Sequence, residues 1–297
     1  MKLSIIAPIQ DLELSKRLSN YYMVLSWLAL EQPNYCQFYK DIKKNDKKSF
    51  IILDNGAAEN KPIDGRQLIE LAQEMKVDEL VLPDAYGDGN KTTVLSNEFI
   101  DNHIKLIKKM KLLLMGVVQG TTKEEFLRCY DNFLNNNNIK TIGIGYRNLL
   151  HPFLREMEQF SHNYWEELGI KDVRYLVNKL ENNTFYYMLS RLYFIRNYVN
   201  FEELKKNKKK IHLLGLWSPR ELAYYHKVFD KNELEFIRSN DSASVCQAAQ
   251  TNIYYDKTYG TMNKPKRILD FYRKLTLEEL AIVDYNINII KEWISNV

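Results

Sequence analysis

The chain has 297 residues, 45% of them hydrophobic and 27% charged, which is enough apolar material for one large core and too much for a disordered chain. Its net charge of +4 neither demands nor opposes a nucleic-acid partner. Cys36, Cys129 and Cys246 stand far apart with no C-x-x-C pair, which argues against a disulfide framework or structural zinc and for a reducing compartment.

The first eight residues, Met1 to Pro8, form too short an apolar run for a signal peptide or a membrane span, so a cytoplasmic protein with no membrane partner is expected. Leu3 to Ala7 reads as a first strand, stopped by Pro8. Residues 11 to 44 carry helical spacing and many aromatics, among them Tyr21, Tyr22, Trp27, Phe38 and Tyr39, and read as helix packed on a sheet. Phe50-Ile51-Ile52-Leu53 is a continuous apolar run that suits a strand buried on both faces, and it ends in Asp54 followed by the turn formers Asn55-Gly56. Later stretches repeat that design. In an α/β barrel the chemistry collects at the strand end, which makes Asp54 the first candidate.

Asp64 caps a helix whose apolar positions include Leu68, Ile69, Ala72 and Met75. Glu79 to Asp84 reads as a strand that again ends in aspartate, before the Gly87-Asp88-Gly89 loop and a helix from about Ser96 to Lys109. Leu112 to Gly120 is the most apolar strand and ends in Gln119; Thr121 or Thr122 caps the helix after it. Thr141 to Arg147 is a strand carrying Gly143 and Gly145, and glycine weakens a strand unless a backbone or ligand comes close.

Between residues 151 and 210 the strand rhythm breaks. That stretch reads as a helical, aromatic- and arginine-rich insertion (Tyr175, Tyr193, Arg174, Arg191) closed by Lys205, Lys206, Lys208, Lys209 and Lys210. Strands resume at Ile211 to Trp217, and Ser218-Pro219-Arg220-Glu221 has the form of a capping box with proline at the first helical position. Leu234 to Asp241 is the next strand, once more ending in aspartate. A last short strand is expected at Asn252 to Tyr255, and an amphipathic helix from Thr276 to Val297. One domain over 1–297 is expected, with the insertion inside it.

These strand-end residues, in order and spacing over residues 50 to 246, resemble the tRNA-guanine transglycosylase family and its DNA-acting relatives. Asp54-Asn55-Gly56-Ala57-Ala58-Glu59 looks like a variant of that family's D-S-G-G-F-Q segment, and Pro83-Asp84-Ala85 of its F-D-E. Val118-Gln119-Gly120-Thr121 is similar to V-Q-G-G, Gly143-Ile144-Gly145 to G-L-A-V-G, and Leu214-Gly215-Leu216 to M-G-V-G. The family's nucleophile segment, F-D-C-V, corresponds to Asn240-Asp241-Ser242-Ala243. The zinc-binding C-x-C-x-x-C of the tRNA enzymes has no match after Cys246, and residues 151 to 210 have no counterpart. Both departures favour the compact phage and bacterial enzymes that place 7-deazaguanines in DNA.

The resemblance implies a (β/α)8 barrel, no metal or organic cofactor, and exchange of guanine in DNA for a free 7-deazaguanine base. The alternatives are tRNA as substrate, or a non-catalytic barrel that binds nucleic acid. A carboxylate suits an oxocarbenium-like carbon because it forms and then releases a glycosyl ester, which assigns Asp241 as nucleophile. Asp54 would move the proton of the departing and incoming bases. Asp84 would accept the base's N–H edge; Gln119, Gly143 and Gly145 would meet its carbonyl side, with Tyr86 and Leu214 against its faces. Lys206, Lys208, Lys209 and Arg238 are the expected phosphate contacts. The competing assignments are structural: caps for the aspartates and Gln119, a satisfied core histidine for His212, an inert buried thiol for Cys246, and a solvated face for the lysines.

Overall fold

Eight short strands account for the sheet: β1 (Lys2–Ile5), β2 (Tyr21–Leu25), β3 (Phe50–Asp54), β4 (Glu79–Val81), β5 (Leu113–Val117), β6 (Thr141–Gly145), β7 (Lys210–Leu214) and β8 (Ile237–Ser242). The computed structural model describes residues 1–159, 162–168, 170, 184–216, 218–257 and 268–295. All the paired strands are parallel, in the order β1-β8-β7-β6-β5-β4-β3-β2, with helices between them: a nearly closed (β/α)8 barrel. At the seam the Met23 N–H donates to Ser4 Oγ at 2.8 Å, so a side chain takes the place of a ladder bond between β1 and β2.

The strand at 21–25 replaces expected helix. Tyr21-Tyr22-Met23-Val24-Leu25 is a short apolar run, and periodicity alone does not separate a buried strand from a buried helix turn. Aromatic and β-branched side chains then decide for the sheet. Conversely, residues 252–255 form no strand. Their backbone bonds go elsewhere: the Tyr255 N–H donates to Asn286 Oδ1 at 2.7 Å and the Ile253 N–H to Ala248 O at 2.8 Å. β8 begins three residues later than expected, because Asp230 and Glu233 form a capping box that winds Lys231–Leu234 into a helix.

The caps at Asp64 and Thr122 form as the sequence implies. The helix expected from Ser96 starts earlier, at Gly89, capped by Asp88. The capping box at Ser218 does not form. Glu221 turns inward, and Arg191 Nε and Nη2 donate to its two oxygens at 2.9 and 2.8 Å.

Between β6 and β7 lie the helices Tyr146–Gln159, His162–Glu167, Thr184–Tyr198 and Phe201–Lys206. Phe153, Trp165, Tyr193 and Phe194 of these helices are core: Phe153 and Phe194 pack on Phe126 of the helix after β5, with ring centroids 5.7 and 5.2 Å away. Arg174 and Tyr175 lie outside the described residues.

Candidate functional site

Asp54, Asp84 and Asp241 line one cavity of about 470 Å3 at the C-terminal ends of the strands. That volume falls in the usual range for small-molecule pockets, about 300–1,000 Å3. Asp54 is the last residue of β3, Asp84 lies three residues past β4, and Asp241 is the last but one of β8. Gln119, Gly145, Leu214 and Tyr86 share the same walls, and Tyr146 joins them from the helix after β6. Leu269 and Phe271 contribute from the segment before the C-terminal helix, where Phe271 O accepts from the Ile9 N–H at 2.8 Å and its ring meets Trp27 edge-on.

Asp241 is buried, and one of its oxygens is held. Oδ1 accepts from the Gly215 N–H at 3.1 Å and lies 3.0 Å from His212 Nε2. Gly215 has φ +65°, a backbone conformation that favours glycine, and a Cβ there would sit a tight 3.2 Å from the Tyr146 ring. The turn is braced from the insertion. Arg191 Nη1 donates to Leu214 O and Gly215 O at 3.0 and 2.9 Å while the guanidinium pairs with Glu221. Both partners of that pair are fully buried. Arg191→Met leaves the Glu221 charge alone in the core and is expected to cost about 3–5 kcal/mol in a urea unfolding titration, and adding Glu221→Met should recover most of it.

Asp54 sits among negative charges. Burial raises its carboxyl pKa well above the ordinary value, Glu59, Asp241 and Asp84 push the same way, and the Gly56 N–H opposes them from 2.9 Å. The arrangement keeps a proton on Asp54 at pH values where a free aspartate has lost it. Burial also raises Asp84, against hydrogen bonds from Asn55 and Gln119. Asn55 Nδ2 donates to Asp84 Oδ1 and to Leu82 O, both at 2.6 Å, while its Oδ1 accepts from the Ala57 N–H. Gln119 Nε2 donates to Asp84 Oδ2, and its Oε1 accepts from the Gly87 N–H at 3.0 Å. Gln119 therefore orients Asp84 and is no helix cap. Asn55, a turn former in the sequence, does the same work.

Other expected contacts fall elsewhere. Gly143 does not line the cavity; the space a Cβ would take is filled by Leu214 Cδ1 at 3.0 Å and Met115 Sδ at 3.1 Å, so the close approach is barrel packing. Lys209 is buried and its Nζ donates to Asn136 O and Ile139 O, both at 2.6 Å, which leaves it unavailable to a phosphate. Lys206 and Lys208 are exposed but precede β7, about 16 Å of strand away from the mouth. Arg238 closes the opposite end of the barrel: its guanidinium binds both oxygens of buried Glu79 and Thr141 Oγ1, with the Phe50 ring 5.0 Å away. None of these four lies at the cavity.

Cys246 is buried and its thiol pushed up to about 12, an inert side chain as expected. Among the described residues no group of three or more His, Cys, Asp or Glu is placed to hold a metal ion, and no helix is long and apolar enough to cross a membrane. A scan against protein-family models returns no match, and a search of curated proteins returns none either.

Proposed function

We propose that the chain is a base-exchange transglycosylase that replaces guanine in DNA with a 7-deazaguanine through a covalent Asp241–deoxyribose intermediate. The observation that carries this reading is the convergence of Asp54, Asp84 and Asp241, from the ends of three separate strands, on one cavity with room for a purine base and its sugar. Each has a different environment, and differing environments are what divide acid, base and nucleophile among like side chains.

Asp84 has two oxygens, each already holding one amide donor, and a carboxylate offers about four lone-pair sites. The two that remain suit the N1–H and 2-amino group of a guanine-type base. Leu214 and Tyr146 flank the space that the ring would occupy once extruded from the stack. Asp241 Oδ2 gives an electron pair to C1′ as the C1′–N9 bond breaks, and the bonding pair leaves with the guanine. Asp54 supplies the proton that makes the departing base neutral. In the second half the incoming base gives its N9 proton to Asp54, N9 attacks C1′, and the ester pair returns to Asp241. Protons and charge balance over the cycle.

Incubation with labelled guanine and either DNA or tRNA tests the reading. Label entering DNA supports it. Label entering tRNA alone moves the substrate to tRNA, and binding without exchange overturns the enzymatic reading in favour of a nucleic-acid-binding barrel.

A second concavity of about 770 Å3 adjoins the first through Asn55, Asp84 and Tyr86 and carries Arg66 and Lys91. A strand whose base enters the first cavity would follow this groove, with exposed Tyr86 at the junction. Each phosphate contact contributes about 0.7 to the salt slope of single-strand binding. Lys91→Glu is therefore expected to flatten the slope of log Kd against log salt by about 0.7 for a single-stranded oligonucleotide. Lys206→Glu, at the other end of the barrel, should leave it unchanged.

A further inference from the structure

His212 stands in the middle of β7, fully inside the barrel, with both ring nitrogens engaged: Nδ1 is 2.8 Å from Ser239 Oγ and Nε2 is 3.0 Å from Asp241 Oδ1. It does not line the cavity, so it is no proton donor to a bound base. We infer that His212 is a positioning residue for the nucleophile. Its Nε2–H fixes Asp241 Oδ1, leaves Oδ2 as the attacking atom, and stabilises the carboxylate as the glycosyl ester breaks. The inference rests on the transglycosylase reading of Asp241.

Register brings the three side chains together. Ile211 pairs with Ile237 but His212 pairs with Ser239, so β8 carries one extra residue, Arg238, at a bulge. A bulge re-aims the side chains beyond it. Ser239 thereby lies opposite His212, and Asp241, two residues on, points to the same face.

Polarity follows from the two ends of the chain of contacts. A guanidinium only donates, and Arg238 is anchored by Glu79 and Thr141. Its Nε donates to Ser239 Oγ at 3.2 Å, and at the near end the Asp241 carboxylate only accepts, so the hydrogen between it and His212 is on Nε2 and Nδ1 accepts from the Ser239 hydroxyl. An imidazole that accepts at Nδ1 carries its hydrogen on Nε2, facing Asp241. Each donor points from the closed end of the barrel towards the mouth.

The consequence for Asp241 is an asymmetric carboxylate. Oδ1 takes two donors, from His212 and Gly215, whereas Oδ2 has no partner among the described residues. When Oδ2 forms the ester, Oδ1 becomes its carbonyl oxygen. When the ester breaks, negative charge returns to Oδ1 under two fixed donors, an arrangement that stabilises the transition state more than the ground state.

The test uses a guanine-containing DNA oligonucleotide with labelled guanine, read as exchange rate and as covalent protein–DNA adduct on a denaturing gel. Loss of one such donor costs about 10²–10³ in rate, so His212→Phe is expected to lower kcat by about 100-fold or more with KM for guanine within about threefold. His212→Gln places an amide N–H near the Nε2 position and should regain about tenfold or more. Breakdown of the preformed adduct by added guanine at the wild-type rate in His212→Phe overturns the inference. So does a loss confined to KM, or a His212→Gln that folds with the wild-type melting temperature yet is as slow as His212→Phe. If His212→Phe does not fold, His212→Gln is compared with wild type: a folded variant slower by more than about 100-fold, the full cost of a lost donor, overturns the donor role, and a smaller loss supports it. A wild-type protein that gives neither adduct nor exchange refutes the transglycosylase reading itself, an outcome distinct from all of these.

Discussion

Asp241→Asn is expected to lower guanine exchange by about 10⁴-fold or more and to remove the covalent DNA adduct, because loss of a nucleophile takes away the intermediate and not only part of its stabilisation. The substitution changes little else. Asparagine keeps an oxygen for the Gly215 N–H, and the site retains its volume and its Asp84 edge. DNA affinity and melting temperature should therefore stay close to wild type. That separation is informative, since a nucleic-acid-binding barrel would lose nothing measurable. Quantitative exchange kinetics with an oligonucleotide, alongside a filter-binding titration, read both quantities. Exchange that survives within about tenfold excludes Asp241 as nucleophile, because residual catalysis from binding and positioning alone is far smaller than that.

The sequence carried the site better than it carried the surface. Asp54 and Asp84 were legible because each closes or closely follows an apolar run buried on both faces, and the barrel delivers such ends to one mouth, whereas Asp241 ends the mostly polar run Ile237-Arg238-Ser239-Asn240 and stood out through the resemblance of its segment. β2 was not, because Tyr21 to Leu25 runs straight into the helix Ser26–Glu31 with no turn residue to separate them. The places of the lysines and of Arg238 in the barrel were not legible for a different reason. Charge in a sequence does not say which end of a barrel a residue occupies, or whether, like Lys209, its ammonium is already bound to backbone carbonyls. In the sequence His212 has the look of a satisfied core histidine, and it is satisfied, but its partner is the candidate nucleophile. Only the register shift at Arg238, which no local pattern encodes, reveals that.

Asp54→Asn is expected to do two opposite things. Exchange should fall by about 10²–10⁴-fold, the usual contribution of a positioned general acid and base. Stability should rise on the alkaline side. The Asp54 pKa is raised in the fold by burial and by the neighbouring carboxylates, so the native state binds a proton that the unfolded chain, with an ordinary aspartate, has released. Stability from this group is complete below the unfolded pKa, near 4, and is lost as pH rises through the native value. Asparagine has no such loss. The variant's melting temperature should match wild type near pH 4 and exceed it increasingly towards pH 8, and a constant difference across that range would show that Asp54 is not held protonated. In the proposed reaction the same charges tie the acid to the nucleophile. Asp241 is one of the groups that raises Asp54, and esterification removes its charge. Asp54 should consequently release its proton more readily in the covalent intermediate, where it must accept one from the incoming base, than in the free enzyme, where it must give one up. Single-turnover pH profiles separate the two steps: adduct formation is expected to fail at a higher pH than the pH at which adduct breakdown by added base begins to need an ionised Asp54. Coincident midpoints for the two steps would mean that the two carboxylates do not sense each other across the cavity.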